Sequence, residues 1–190
     1  MIPLRFFSGR RFKPAFAVAA FSLCILSADR ILADQQPTTE LQIKGAYLMN
    51  FARLVTWPEG SYRSEDDPTI IGILGDDRLL EILDDALETH QPQSRPIVLL
   101  RIDSLEQISQ CHLLYVSRKT DRSLEEILKR VDGNPILTVS DIDEFTSRGG
   151  AIGLFPDKDR IGIDINRISE RRAELQISSR LLRLARKILE

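Results

Sequence analysis

The chain has 190 residues, 26 of them basic and 28 acidic, for a formal charge of −2. This balance argues against bulk nucleic-acid binding, which needs a strongly basic face. The length suits one domain with a proper core.

The first element is a leader. Arg5, Arg10, Arg11 and Lys13 precede an apolar run from Ala15 to Leu26, and Ile31-Leu32-Ala33 offers a cleavage site before Asp34. The run is too short for a comfortable membrane span, so residues 1–33 are expected to be a cleaved signal peptide and 34–190 the mature domain. Cys24 does not make a lipidation site, because Leu23 is too large for a good lipobox. The leader holds five of the basic residues and one acid, which leaves 21 basic and 27 acidic residues in the mature chain, a formal charge of −6. The mature charge is uneven. Residues 59–88 carry ten carboxylates against Arg63 and Arg78, whereas 167–190 carry seven bases against three acids.

Next comes an amphipathic helix ending near Val55, with Leu41, Leu48, Ala52 and Val55 on one stripe and Tyr47, Phe51 and Leu54 beside it; Pro58 and Gly60 stop it. The apolar run Thr69–Leu74 reads as a buried strand leading into a helix over Leu79–Leu87. Pro96–Ile102 is a second strand, Leu105–Ser109 a short helix, and His112–Val116 a third strand. Leu124–Val131 is helical, Ile136–Val139 is a fourth strand, and Ile142–Ser147 is a short helix closed by Arg148-Gly149-Gly150. Ala151–Phe155 and Arg160–Ile165 alternate around Pro156–Asp159 as a β-hairpin. Ile168–Leu189 reads as a final helix, with a break near Ser178-Ser179. Strands alternating with helices give an α/β fold: a mainly parallel sheet with helices on both faces and an antiparallel C-terminal hairpin at the edge.

Chemistry is sparse. Cys111 is the only cysteine left after cleavage, and it points to the opposite face of its strand from His112, so the two make no nucleophile pair. The only histidines, His90 and His112, stand far apart and lack zinc-ligand spacing, so neither metal nor cofactor is expected. No nucleophile elbow or dinucleotide fingerprint occurs. A phosphorelay receiver needs an acceptor aspartate after the third strand, where Tyr115-Val116-Ser117-Arg118 supplies none. Strand ends in such sheets collect ligands, and here they carry Asp76-Asp77, Arg101, Asp103, Ser117-Arg118 and Ser140-Asp141. The alternative is that Asp76, Asp121 and Ser140 only cap the helices that follow. Two further stretches stand out, Lys44–Pro58 and Ile177–Arg186. In them Asn50, Phe51, Arg53, Trp57, Arg180 and Arg183 form the candidate partner- or ligand-binding set. The arginine forks suit carboxylates or phosphates, while the aromatics equally suit a core role.

At these residues the chain resembles the YfiR family, over roughly Leu41–Ile188. The motifs are Ala46–Pro58, Ile73–Asp77, Cys111–Ser117, Arg148–Gly150 and Ile177–Ala185. The resemblance implies a periplasmic regulator without catalytic activity, a homodimer, that represses an inner-membrane diguanylate cyclase by binding its periplasmic domain. It thereby limits cyclic-di-GMP and biofilm formation, and an OmpA-type outer-membrane lipoprotein relieves it. The family commonly places a cysteine in the first central strand, able to pair with that of the Cys-His strand; here Gly72 stands there. The second functional reading is a periplasmic sensor that binds a small-molecule ligand for another receptor such as a histidine kinase.

Overall fold

The structure, a computed structural model, describes residues 39–89, 95–158 and 160–190. The expected leader and its cleavage site, and His90, lie outside them. Residues 40–190 form one compact unit.

Helix α1 (39–54) runs directly into a two-residue strand, β1 (Val55–Thr56). Strand β2 (Thr69–Leu74) is buried along almost its whole length, which is why its sequence is continuously apolar. Gly75 follows with φ of +83°, a left-handed turn that favours glycine; a Cβ there would also stand 2.9 Å from Thr120 Cβ. Asp76 then caps α2 (Asp77–Thr89), its Oδ1 accepting from Leu79 N at 3.3 Å and its backbone O from Leu80 N at 3.2 Å. Leu79, Leu83 and Leu87 recur at helical spacing and are buried. Strand β3 (Ile97–Arg101), a 3₁₀ turn (Leu105–Gln110), β4 (Leu113–Val116), α3 (Leu124–Val131) and β5 (Leu137–Ser140) follow in the expected order. Ser123, not Asp121, caps α3: its hydroxyl accepts from Glu126 N.

Strands β6 (Ile152–Asp157) and β7 (Arg160–Asn166) form the hairpin. The seven-stranded sheet runs in the order β3-β2-β4-β5-β6-β7 and then a last strand, parallel from β3 through β6, with β7 antiparallel. The hairpin closes this end of the sheet, and one further strand, β9 (Lys187–Leu189), pairs parallel to β7 and forms the actual edge.

Two stretches differ from expectation. Residues 142–148 are successive turns and not a helix, because Glu144 takes φ of +57°, outside helical space. The helix expected over Ile168–Leu189, with a break near Ser178-Ser179, is four pieces: α4 (Arg167–Arg172), β8 (Gln176–Ile177), α5 (Ser179–Leu182) and β9, with the expected break falling between β8 and α5. Asn166 starts α4 by accepting from Ile168 N and Ser169 N, and Glu174, at φ of +55°, turns the chain after it. Leu175, Ile177 and Leu181 are all buried, so their apolar spacing is met by a folded-back chain.

Side chains of alternate parity cover the two faces. Ile71, Ile73, Leu113, Tyr115, Leu137 and Val139 join α1, α2 and the α4–α5 segment in one core. Leu74, Leu114 and Val116 pack with Ile108 and Ile127 on the other face. A fully buried leucine or phenylalanine contributes about 1.5–3 kcal/mol here.

Candidate functional site

The short antiparallel ladder of β1 with β8 decides where the candidate residues go. It pairs Val55 with Ile177 and Thr56 with Gln176, and Ser178 N donates to Leu54 O at 3.0 Å. The end of α1 is thereby joined to the start of α5, whose first turn is capped by Ser178 accepting from Leu181 N. Two stretches more than a hundred residues apart in sequence thus meet at one joint.

Asn50, Arg53, Arg180 and Arg183 are exposed there, and none of the three guanidinium groups has an ion-pair partner among the described residues. Phe51 is fully enclosed and Trp57 is only 8% exposed. Neither ring can meet a partner without opening the core, so the two belong to the foundation of the joint. Phe51 stacks with Tyr47 at 5.7 Å, and Tyr47 Oη donates to Ile161 O at 3.1 Å. Trp57 Nε1 donates to His112 O at 3.1 Å, which ties the end of β1 to the start of β4.

The strand-end rim is arranged differently. Asp141, after β5, is buried; its Oδ2 accepts from Lys44 Nζ at 2.8 Å and its Oδ1 from Arg118 N at 2.7 Å. Burial pushes the Asp141 carboxyl up, but these bonds and the charges of Lys44 and Arg118 outweigh it and hold the group below its ordinary value. Lys44 is itself 6% exposed and also meets Glu40 at 2.6 Å; burial lowers its pKa, but the two carboxylates more than compensate and raise it. Asp76 is held by Lys119 at 2.9 Å, and Arg101 by Asp77 at 2.9 Å. Tyr115 Oη is buried on β4, the strand between those that end at the two aspartates. Burial first, and then the nearby charges of Asp141 and Asp76, push its ionisation far up. A cleft of about 440 Å³ remains beside the rim, lined by Asp77, Arg101, Asp103, Lys119 and Arg122. As anticipated, Asp76 is a helix cap. Ser140 instead bridges Val116 O at 2.6 Å and Ile142 N at 2.9 Å, holding the turn after β5. No cluster of three or more metal-ligating groups occurs among the described residues.

Cys111 and His112 do face opposite ways. Cys111 is buried with the second core, where burial pushes its thiol up to about 12, so it is inert at neutral pH. A Cβ built on Gly72 would lie 2.4 Å from Cys111 Sγ. Gly72 is therefore the strand position from which a second cysteine would reach Cys111. Sequence reasoning did not single out Lys44 or Asp141 as partners: ninety-seven positions separate them, and only the βα crossovers bring them together.

No helix among the described residues is long and apolar enough to cross a membrane. Residues 41–186 match the model of the YfiR/HmsC-like protein family. Among curated proteins none is similar in sequence. Two solved structures are similar at low identity. One is titled as an ABC domain in complex with L-Trp from Streptococcus pneumonia, 9% identical with a TM-score of 0.48; the match covers 64% of this chain and 55% of that one. The other is a conserved domain protein from Vibrio cholerae, 10% identical with a TM-score of 0.44, covering 63% and 54%. The chain thus spans little more than half the length of either.

Proposed function

The chain belongs to the YfiR/HmsC-like family of periplasmic regulators, and we propose that it acts by protein–protein contact, repressing an inner-membrane diguanylate cyclase through that enzyme's periplasmic domain. Residues 1–33 export it, and 34–190 are the working domain. The observation that carries this reading is the joint of α1 with α5, where Asn50, Arg53, Arg180 and Arg183 stand exposed on a rigid, core-anchored base. Three guanidinium groups without ion-pair partners among the described residues suit carboxylates on an opposing surface, and such pairs speed and orient association.

Repression is then a population shift. Binding must favour the inactive state of the cyclase by about 5.5 kcal/mol to move it from 1:99 to 99:1. An OmpA-type outer-membrane lipoprotein would relieve repression by competing for the regulator, and the regulator itself is a homodimer. The test is co-purification of the chain with a cyclase periplasmic domain, and its loss on Arg53→Glu or Arg180→Glu. Retention of the complex in both variants defeats the assignment of this surface. The second reading, a small-molecule sensor, is favoured only by the cleft at Arg101, Lys119 and Arg122. Thermal stabilisation by one small anion, with no affinity for any cyclase domain, would establish it instead.

A further inference from the structure

Beneath the joint, at the start of the sheet, His112 is gripped from three sides. Its Nδ1 accepts the backbone N–H of Ile70 at 3.0 Å, and its Nε2 lies 3.1 Å from Ser61 O, so Nε2 carries the proton and donates. The Tyr62 ring stacks on it at 4.4 Å with an interplanar angle of 10°. Trp57 meets it edge-on at 6.1 Å, and the Arg95 guanidinium covers Tyr62 at 3.8 Å. The Ser61 carbonyl favours a charged ring, but the Ile70 bond accepts only the neutral one. A proton on Nδ1 would face the Ile70 N–H donor to donor and leave that amide without its acceptor.

The charged groups around the ring do not reverse this. Arg95, ahead of β3, opposes a second positive charge; Asp67, in the loop before β2, favours one weakly; Tyr62 is neutral, and Ile70 of β2 and Trp57 just after β1 bring no charge. Burial, the largest influence, also disfavours the cation. The closed arrangement further leaves Ser61 Oγ buried without a partner among the described residues, a group that opening would hydrate.

We propose that His112 is an acid-sensitive clasp on the joint: a proton taken from solvent at Nδ1 breaks the bond to Ile70, releases the 58–68 loop and Trp57, and loosens the β1–β8 ladder. Acid then weakens the hold of the joint on its partner. That last step rests on the surface assigned under Proposed function; the clasp itself does not.

The sequence supplies its own reporter, because Trp57 is the only tryptophan. The emission of the purified full chain is followed from pH 7.5 to 5.0, with ring ¹⁵N shifts of His112 and amide exchange at Ser178, corrected for intrinsic rate. The clasp predicts an Nε2–H tautomer at pH 7.5 and a one-proton change in Trp57 emission that persists in His90→Gln and disappears in His112→Gln. It also predicts at least a tenfold loss of protection at Ser178. An Nδ1–H tautomer, or an emission that does not change or still titrates in His112→Gln, overturns the clasp. Unchanged protection at Ser178 overturns its link to the joint. Should His112→Gln fail to fold, the ring shifts and Ser178 exchange of the unsubstituted chain decide alone. None of these readouts involves a cyclase, so failure of the partner assignment is seen separately, in the co-purification.

Discussion

The strand-end rim and the joint of α1 with α5 use the same residue types to opposite ends. At the rim, Lys44, Arg118 and Lys119 are tied to Asp141 and Asp76, with Lys44 and both aspartates buried. At the joint, Arg53, Arg180 and Arg183 are exposed and without ion-pair partners among the described residues. Buried pairs that satisfy one another hold a fold in one arrangement but have little left to offer a ligand. Exposed unpaired arginines add little to stability and remain available to a partner. The comparison separates residues that maintain the fold from residues proposed to meet a partner.

The largest effect should come from the rim. Asp141→Ala leaves buried Lys44 with only the exposed Glu40 as partner and the Arg118 amide without its acceptor, and is expected to lower stability by up to about 3–5 kcal/mol in urea unfolding; a loss under about 1 kcal/mol would make the rim as dispensable as an exposed ion pair. Gly72→Cys tests whether the second core, where Cys111 packs, accommodates a cross-link. Oxidation of that variant, joining the introduced thiol to Cys111, is expected to add about 2–4 kcal/mol relative to its reduced form, read from the same curves with and without reductant.

Acid should act on the rim as well. The folded-state pKa of Asp141 is depressed, so its contribution is fully present above the unfolded value of 3.8 and is lost as pH falls through the folded value. The unfolding midpoint should therefore fall below about pH 4 in the unsubstituted chain, and less so in Asp141→Asn. The smallest effect belongs to the joint: Arg53→Ala and Arg180→Ala should each change stability by less than about 0.5 kcal/mol, measured by thermal unfolding.

Much of this was legible in the sequence. The apolar run Thr69–Leu74 and its capping Asp76 stand as expected, and the opposed faces of Cys111 and His112 follow from strand periodicity. The two stretches that hold the candidate residues are joined by the β1–β8 ladder, a pairing of segments that no local pattern announces. What was hidden has physical causes. The run Ile168–Leu189 has spacing that suits a helix; its break near Ser178-Ser179 stands where expected, as the cap of α5, but the left-handed conformation of Glu174 is not visible in hydrophobic periodicity. Phe51 lies beside exposed Asn50 in sequence, yet the helical turn of about 100° per residue carries one into the core and leaves the other in solvent. The pairing of Lys44 with Asp141 depends on strand order, which no local pattern encodes.

The central claim is that the joint, and not the rim, meets the partner. Isothermal titration of a cyclase periplasmic domain into the unsubstituted chain, Arg53→Glu and Arg180→Glu tests it most directly. The account predicts at least a tenfold rise in Kd for each variant with the melting temperature preserved. Equal affinity in all three proteins would contradict it.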